Sequence, residues 1–357
     1  HVAPVALYYP VEQAWASMTP LAPGPHDGRA WEPWQLAEPD LPVNLADLSM
    51  IGLGLQLLAS QIDFDLVDYS VLEASRAEAG RLCTGHERFA AVIVPAIDCI
   101  AATALQRMLD VAHAGGAVLF VQALPAQVLE GSVPQWPDLH QALAQLQQPG
   151  LIAWGAGRVG FVPPAPPQPD GGDPAQRRIE RRPQGIEAAV HLLRQAVDPD
   201  VQVLMAPADN ALVLVEENRN GSGREPRFQR LSQAIRYHRR RVGDTAIYLL
   251  VNESGRELTA TLRLAAAGPM EEWRPETGER RPLAFTPAGC GRLDLRLRFA
   301  PWQSYLLVGG PSAGQGLPGE DLAPLRTLAL EGWQWQVADR QGNAELLPWP
   351  VLGLGRY

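Results

Sequence analysis

No lysine occurs among the 357 residues; all 30 basic side chains are arginine. That absence excludes a Walker A phosphate loop, a Schiff-base lysine and a kinase-type ATP lysine, each of which needs a primary amine at a fixed place. Cysteine is scarce as well. Cys83, Cys99 and Cys290 are odd in number, widely spaced and form no CxxC pair, which argues against a disulfide framework and a cysteine zinc site. No apolar run reaches the roughly 18–20 residues that cross a bilayer, so no membrane span is expected. Positive charge is in deficit: the net charge is −9, and an acidic chain has no general electrostatic pull toward phosphate backbones. No nucleic-acid partner is expected. The start shows neither a basic nor an apolar leader region, and His1 runs straight into an apolar strand. The expectation is that the native N-terminus lies further upstream.

What is present is apolar and rich in turns. Hydrophobic residues make up 46% of the chain, and glycine and proline number 33 each, so a large core is available but long helices are not. Up to about residue 150 the pattern alternates. Residues 5–10, 64–69, 89–95 and 117–125 read as strands; 45–61 and 100–116 read as helices, the second closed by glycine. The strands at 89–95 and 117–125 are continuously apolar, as strands buried on both faces are. This order predicts a doubly wound, flavodoxin- or amidotransferase-like parallel sheet with helices on both faces. Residues 161–178 are too rich in proline and glycine for regular structure. A helix at 186–197, a strand at 201–207 and a surface loop at 216–230 follow.

From residue 231 the period changes to two. The segments 234–241, 244–254, 257–266, 291–300 and 303–310 alternate apolar and polar residues between turn signals, which predicts a small antiparallel β-sandwich. The fold class is thus α/β plus all-β. The expected domains are 1–230 (α/β, with a Pro/Gly-rich insertion at about 161–185), 231–310 (β-sandwich), a linker at 311–327, and 328–357 as the truncated start of a further β domain.

No chemical motif stands out. Cys99 follows an apolar strand, but its PAIDCIAA context lacks the small flanking residues of a nucleophile elbow, so a buried structural thiol is the better reading. Gly155–Gly160 (GAGRVG) precedes no helix that could seat a pyrophosphate, so it reads as a turn. The Asp170–Asp173 stretch lacks the further ligands of a calcium loop. The acids Glu12, Glu32, Asp63, Asp65, Glu271 and Glu272 are scattered rather than paired, as glycoside hydrolysis would require. In Arg236–Arg241 (RYHRRR), Tyr237 is expected to pack inward, with the arginines pairing to acids of a neighbouring domain and with His238 and Arg239 as interdomain or substrate-proximal residues. Trp273, Trp302, Trp333, Trp335 and Trp349 are candidates for stacking on sugar rings, Trp333 and Trp335 foremost, although core plugs are commoner in small sandwiches.

The order of segments carries more information than any one of them. HVAPVALYYPVEQAWA, IDFDLVDYSVLE, FAAVIVPAIDCI, GGAVLFVQALP, IRYHRRRVGDTAIYLLVNES, EEWRPETGERRPL and WQSYLLVGG occur in this succession. It resembles the region downstream of the catalytic barrel in bacterial α-L-rhamnosidase-like enzymes of glycoside hydrolase family 106. The α/β part is also similar to the non-catalytic amidotransferase-like domain of family 42 β-galactosidases, and the tail LEGWQWQV to the entrance of a jelly-roll domain. Residues 161–178 and 216–230 look like insertions. The resemblance implies an accessory piece of a glycosidase acting on a carbohydrate substrate, periplasmic or secreted; no cofactor is expected and no metal-ligating residue is assigned in this chain. Its partners would be an N-terminal catalytic (β/α)8 barrel and C-terminal β domains of the same polypeptide. The catalytic carboxylates would sit in that barrel, so no catalytic residue is assigned here. The alternatives are a stand-alone carbohydrate- or protein-binding module and a cysteine-dependent amidotransferase-like enzyme.

Overall fold

The computed structural model describes residues 2–17, 42–164, 186–206, 209–216, 227–310, 335–338 and 344–347. His1–Gln315 form one compact unit and Gly316–Tyr357 a second. In the second, Trp335–Ala338 pairs antiparallel with Ala344–Leu347.

The first half of the large unit is built on six strands: β1 (Val5–Tyr8), β2 (Phe64–Val67), β3 (Ala91–Val94), β4 (Ala117–Val121), β5 (Gly150–Trp154) and β6 (Gly157–Val162). Their spatial order is β5-β6-β4-β3-β1-β2. All neighbours run parallel except the β5–β6 hairpin. The parallel part therefore follows the flavodoxin-like order expected from the sequence. β1, β3 and β4 are buried at every residue, and the reason is visible in the two cores. Tyr8, Val92, Val94 and Phe120 point to one face, against Leu105, Met108 and Leu109 of α4 (Ala102–His113) and Trp136 of α5 (Trp136–Ala144). Leu7, Ile93 and Leu119 point to the other, against Leu53 and Leu57 of α2 (Pro42–Ala59) and Val190 of α6 (Ile186–Leu193). Both faces of each strand meet helices, which is why no polar alternation survives. Two short helices complete this half, α1 (Val11–Ser17) and α3 (Tyr69–Ala74). Sequence periodicity gave no sign of a small antiparallel sheet at Arg76–Glu78, Arg81–Thr84 and Glu87–Phe89.

The second half is a sandwich of two antiparallel sheets. One has the order β7-β10-β14-β13, from β7 (Val201–Leu204), β10 (Leu258–Leu264), β13 (Thr286–Gly289) and β14 (Arg292–Phe299). The other has the order β8-β9-β15-β11-β12, from β8 (Ile235–Val242), β9 (Thr245–Asn252), β11 (Met270–Arg274), β12 (Glu279–Leu283) and β15 (Ser304–Gly309). Leu262, Leu295 and Phe299 from the first meet Tyr248, Leu250 and Leu307 from the second in one core.

Two local expectations change. The strand at 201–207 forms at Val201–Leu204, but it pairs with β10 and not with the parallel sheet. Its apolar residues fit either environment, and only the partner decides. The expected loop at 216–230 includes a strand at Arg227–Arg230, paired with Leu212–Glu216; residues 217–226 lie outside the described residues. The Trp273–Gly278 turn closes the β11–β12 hairpin, with Gly278 at φ 72° and its N–H donating to the Arg274 carbonyl at 2.8 Å.

Candidate functional site

The chain reverses its direction of travel across the sheet between β2 and β3. The carboxyl ends of β1 and β3 therefore flank the crevice where ligands bind in open α/β sheets. Here side chains of the protein itself occupy that crevice. Helix α1 starts three residues after β1 and turns Glu12 and Gln13 back onto the strand ends, where both are buried. The Tyr8 hydroxyl donates to Glu12 Oε1, which also accepts the Ala101 N–H at 3.3 Å. Gln13 Oε1 accepts the N–H groups of Asp98 and Cys99 at 2.7 and 3.1 Å, and the Ser49 hydroxyl accepts that of Ala96 at 3.1 Å. The loop after β3 thus finds its hydrogen-bond partners within the chain. Glu12 Oε2 is buried and makes no hydrogen bond among the described residues. The Tyr8 hydroxyl is pushed above its ordinary range, by burial first and by Glu12 second. Periodicity could not find this network; its one trace in the sequence is the four-residue spacing of Tyr8 and Glu12.

Cys99 sits in the same network. Its Sγ lies 3.6 Å from Gln13 Oε1, and burial, then the charges of Glu12 and Asp98, push its thiol up. A thiol held neutral is a poor nucleophile. The left-handed residue at the carboxyl end of a parallel strand is Gln122, at φ 69° directly after β4, and a carboxamide cannot attack a carbonyl. In Gly155–Gly160, Gly155 at φ 59° turns the chain and Gly157 onward is strand β6. A strand, not a helix N-terminus, follows directly. Residues 170–173 lie outside the described residues.

His238 and Arg239 lie at the opposite end of the parallel sheet. Strand β8 meets its amino-terminal edge: the Val2 N–H donates to the Arg239 carbonyl at 3.3 Å, and the Asp63 N–H donates to the Tyr237 hydroxyl at 3.2 Å. Gln61 Nε2 donates to the carbonyls of Ser232 and Ile235 at 3.1 and 3.0 Å. His238 Nδ1 stands 3.8 Å from Asp63 Oδ2. Arg239 turns the other way, into the sandwich, where it pairs with Asp200, donates to the Ala265 carbonyl at 3.2 Å and lies 5.6 Å from the Tyr248 ring. Nearby, Arg292 pairs with Asp198. Asp200 Oδ2, Arg239 Nε and one Arg292 terminal nitrogen are buried without hydrogen-bond partners among the described residues. Burial raises Asp63 to about 6, against the pull of His238, and raises Asp200 against the pull of Arg239. The same burial raises Tyr237 and Tyr248. Hydrogen bonds tie β8 to the amino-terminal edge of the parallel sheet, and the Arg239–Asp200 pair ties it to the loop before β7. Asp198, Asp200 and Arg292 were not legible in the sequence, because DPDV carries no pattern.

The remaining acids do not assemble. Glu271 accepts the Trp273 indole N–H at 2.9 Å and Glu272 pairs with Arg274 at 3.0 Å; Glu32 lies outside the described residues. A cavity of about 440 Å³ is lined by Met205, Asp209, Glu257, Thr259 and Arg296, among others, and by none of the acids singled out from the sequence. Among the described residues no three His, Cys, Asp or Glu side chains gather as metal ligands would, and no helix is long and apolar enough to cross a membrane. Of the tryptophans, Trp273 is partly buried beneath the Arg280 guanidinium at 4.3 Å, Trp302 is 66% exposed, and Trp335 opens a strand. Trp333 and Trp349 lie outside the described residues.

No protein-family profile matches the sequence, and no curated protein matches it. Solved structures do. The rhamnosidase from Novosphingobium sp. PP1Y is 19% identical over 78% of this chain and 22% of its own, with a TM-score of 0.48. The β-galactosidase from Bacillus circulans sp. alkalophilus is 12% identical over 86% of this chain and 41% of its own, with a TM-score of 0.47. The GH42 β-galactosidase Gan42B is 9% identical over 86% of this chain and 40% of its own, with a TM-score of 0.44. The chain thus spans between about a fifth and two fifths of the length of these structures, and it is similar to parts of glycosidases.

Proposed function

We propose that this chain is the accessory, non-catalytic portion of a multidomain glycoside hydrolase of α-L-rhamnosidase type, with the bond-breaking carboxylates on a barrel of the same polypeptide. The observation that carries this reading is helix α2. Leu53 and Leu57 bury one of its faces against the parallel sheet. Its opposite face is apolar too: Leu45, Leu48, Ile51 and Leu55, at helical spacing, are 40–55% exposed. An exposed apolar stripe, here interrupted by Asp47, marks a surface that something covers. On this reading the α/β half braces the barrel through α2, and the switch-point crevice, plugged by Glu12 and Gln13, is scaffold. The order of segments in the sequence supports the same parentage.

The test has two arms. The 357-residue chain is assayed on an aryl α-L-rhamnoside, and the reading frame upstream of His1 is sequenced. The expected result is no released phenol and an in-frame barrel. Turnover by the chain alone, or an upstream frame without a barrel, overturns the proposal.

A further inference from the structure

Trp302 sits in the turn between β14 and β15 with φ 61°, a left-handed conformation, and is 66% exposed. Both features cost stability. A side chain in that region is strained relative to glycine, and an exposed indole leaves a large apolar face in water. The surroundings leave Trp302 little choice. Asn252, fully buried, donates to the carbonyls of Arg256 at 2.8 Å and Ala300 at 2.9 Å and accepts from the Ser254 N–H and hydroxyl at 3.1 and 2.7 Å. Gln303 Oε1 accepts the Ala300 N–H at 2.8 Å, and the Trp302 N–H donates to the Ser254 carbonyl at 3.2 Å. Two loops are thus locked together, and the indole lies beside Gly255, where a Cβ would stand 3.8 Å from its edge. Strained positions of this kind persist when the structure around them over-determines them, and they concentrate where ligands are held.

The neighbours decide the class of ligand. The core of a protein–protein contact is a contiguous apolar cluster with few charges. The loop that carries Gly255 also carries Glu253, Arg256 and Glu257, the Trp302 turn carries Ala300, Pro301 and Gln303, and none of these is a large apolar residue. Glu257 and Arg298 form a bidentate ion pair at 2.8 and 2.9 Å on the same end of the sandwich. One flat aromatic face, whose electron-rich surface attracts polarised C–H groups, set between loops that carry charged and hydrogen-bonding residues, is the complement of a sugar ring. The indole N–H makes no hydrogen bond among the described residues, which leaves it able to donate to a hydroxyl. We propose that Trp302 is a carbohydrate-stacking platform on the loop end of the β-sandwich, binding a single pyranose ring of a polysaccharide.

The choice of polysaccharide rests on the glycosidase reading; the platform does not. The test is native gel electrophoresis of the chain through soluble rhamnogalacturonan and through β-1,4-galactan, with Trp302→Gly alongside, and a thermal unfolding scan of both proteins. The expected result is retardation of the unmodified chain in at least one polysaccharide, weakened roughly tenfold or more in Trp302→Gly. The Tm of Trp302→Gly should be unchanged or up by ~1–3 °C, because glycine relieves the strained φ. Equal retardation of the two proteins, or none of the unmodified chain in either gel, overturns the proposal. So does a drop of several degrees in the Tm of Trp302→Gly, which would make Trp302 a folding residue. Retention by Trp302 together with an upstream frame that lacks a barrel would sink the glycosidase parentage and leave the platform standing.

Discussion

The two halves of the large unit solve the same burial problem with opposite patterns. In β3 and β4 every residue is buried, because helices lie on both sides. In β10 and β14 burial alternates; Leu258, Ala260, Leu262 and Leu264 face inward while Thr259 is exposed between them. The outward positions of those strands hold pairs such as Arg263–Asp294 at 2.8 Å across neighbouring strands. The contrast teaches that the number of faces a sheet must cover sets its sequence period, and that a charge costs little in one half at a position where it would be ruinous in the other.

Substitutions can break this contrast. Phe120→Ala in β4 removes a side chain with no exposure from a face already packed by α4 and α5, and should cost about 3–5 kcal/mol, measured by urea unfolding. If it costs under 1 kcal/mol, that face is not close-packed. The joint between the halves comes next. Asp63 is raised to about 6 from the ordinary 3.8 by burial, so the native state holds its proton to higher pH than the unfolded chain. Stability therefore falls as pH rises from roughly 4 to 6, and above that window the buried charge costs about 3 kcal/mol. Asp63→Asn should flatten that slope without abolishing it, because Asp200 shifts in the same direction. Urea midpoints taken from pH 4 to 7 that keep an unaltered slope would count against this origin.

Smaller effects sharpen the contrast on the outside. Leu48→Glu together with Ile51→Glu on α2 should change the stability of the chain by within roughly ±0.5 kcal/mol per site, yet weaken binding to the proposed barrel expressed separately. A large loss of stability would show that this face is packed within the chain after all. Arg298→Ala, at an exposed pair with Glu257, should leave the urea midpoint unchanged at physiological salt, since exposed ion pairs contribute little. A clear drop would mean that the pair holds the loops around Trp302.

The sequence was most legible where one physical constraint acted alone. LDLRLRF could only be a half-buried strand, and AVLFV followed a glycine-closed helix into a buried parallel strand. RYHRRR gave the inward Tyr237 by alternation, but the arginines do not all reach a neighbouring domain: Arg239 pairs with Asp200, whereas Arg236 pairs with Glu253 and Arg241 with Asp244, at the two ends of β9. The Glu12 and Gln13 plug was not legible. It depends on residues some 90 positions apart meeting at the end of a sheet, and neither glutamate nor glutamine announces that it will be buried. Trp302 lay between the two cases: the residue was visible, but whether it plugged a core or faced water depended on the turn that holds it.

By itself the amino-acid sequence determined the fold class, because hydrophobic period is a local property and each strand or helix carries its own. It also determined which chemistries have no residue to perform them, lysine chemistry first. Tertiary structure alone decided partnership: that Val201–Leu204 joins the sandwich, that the sandwich meets the amino-terminal edge of the parallel sheet, and that one apolar face of α2 stays uncovered. The physical reason is that a strand's hydrogen bonds and a helix's apolar faces can be satisfied by many partners of the same kind. The selection among them is made by the summed packing of the whole chain, which no single segment encodes.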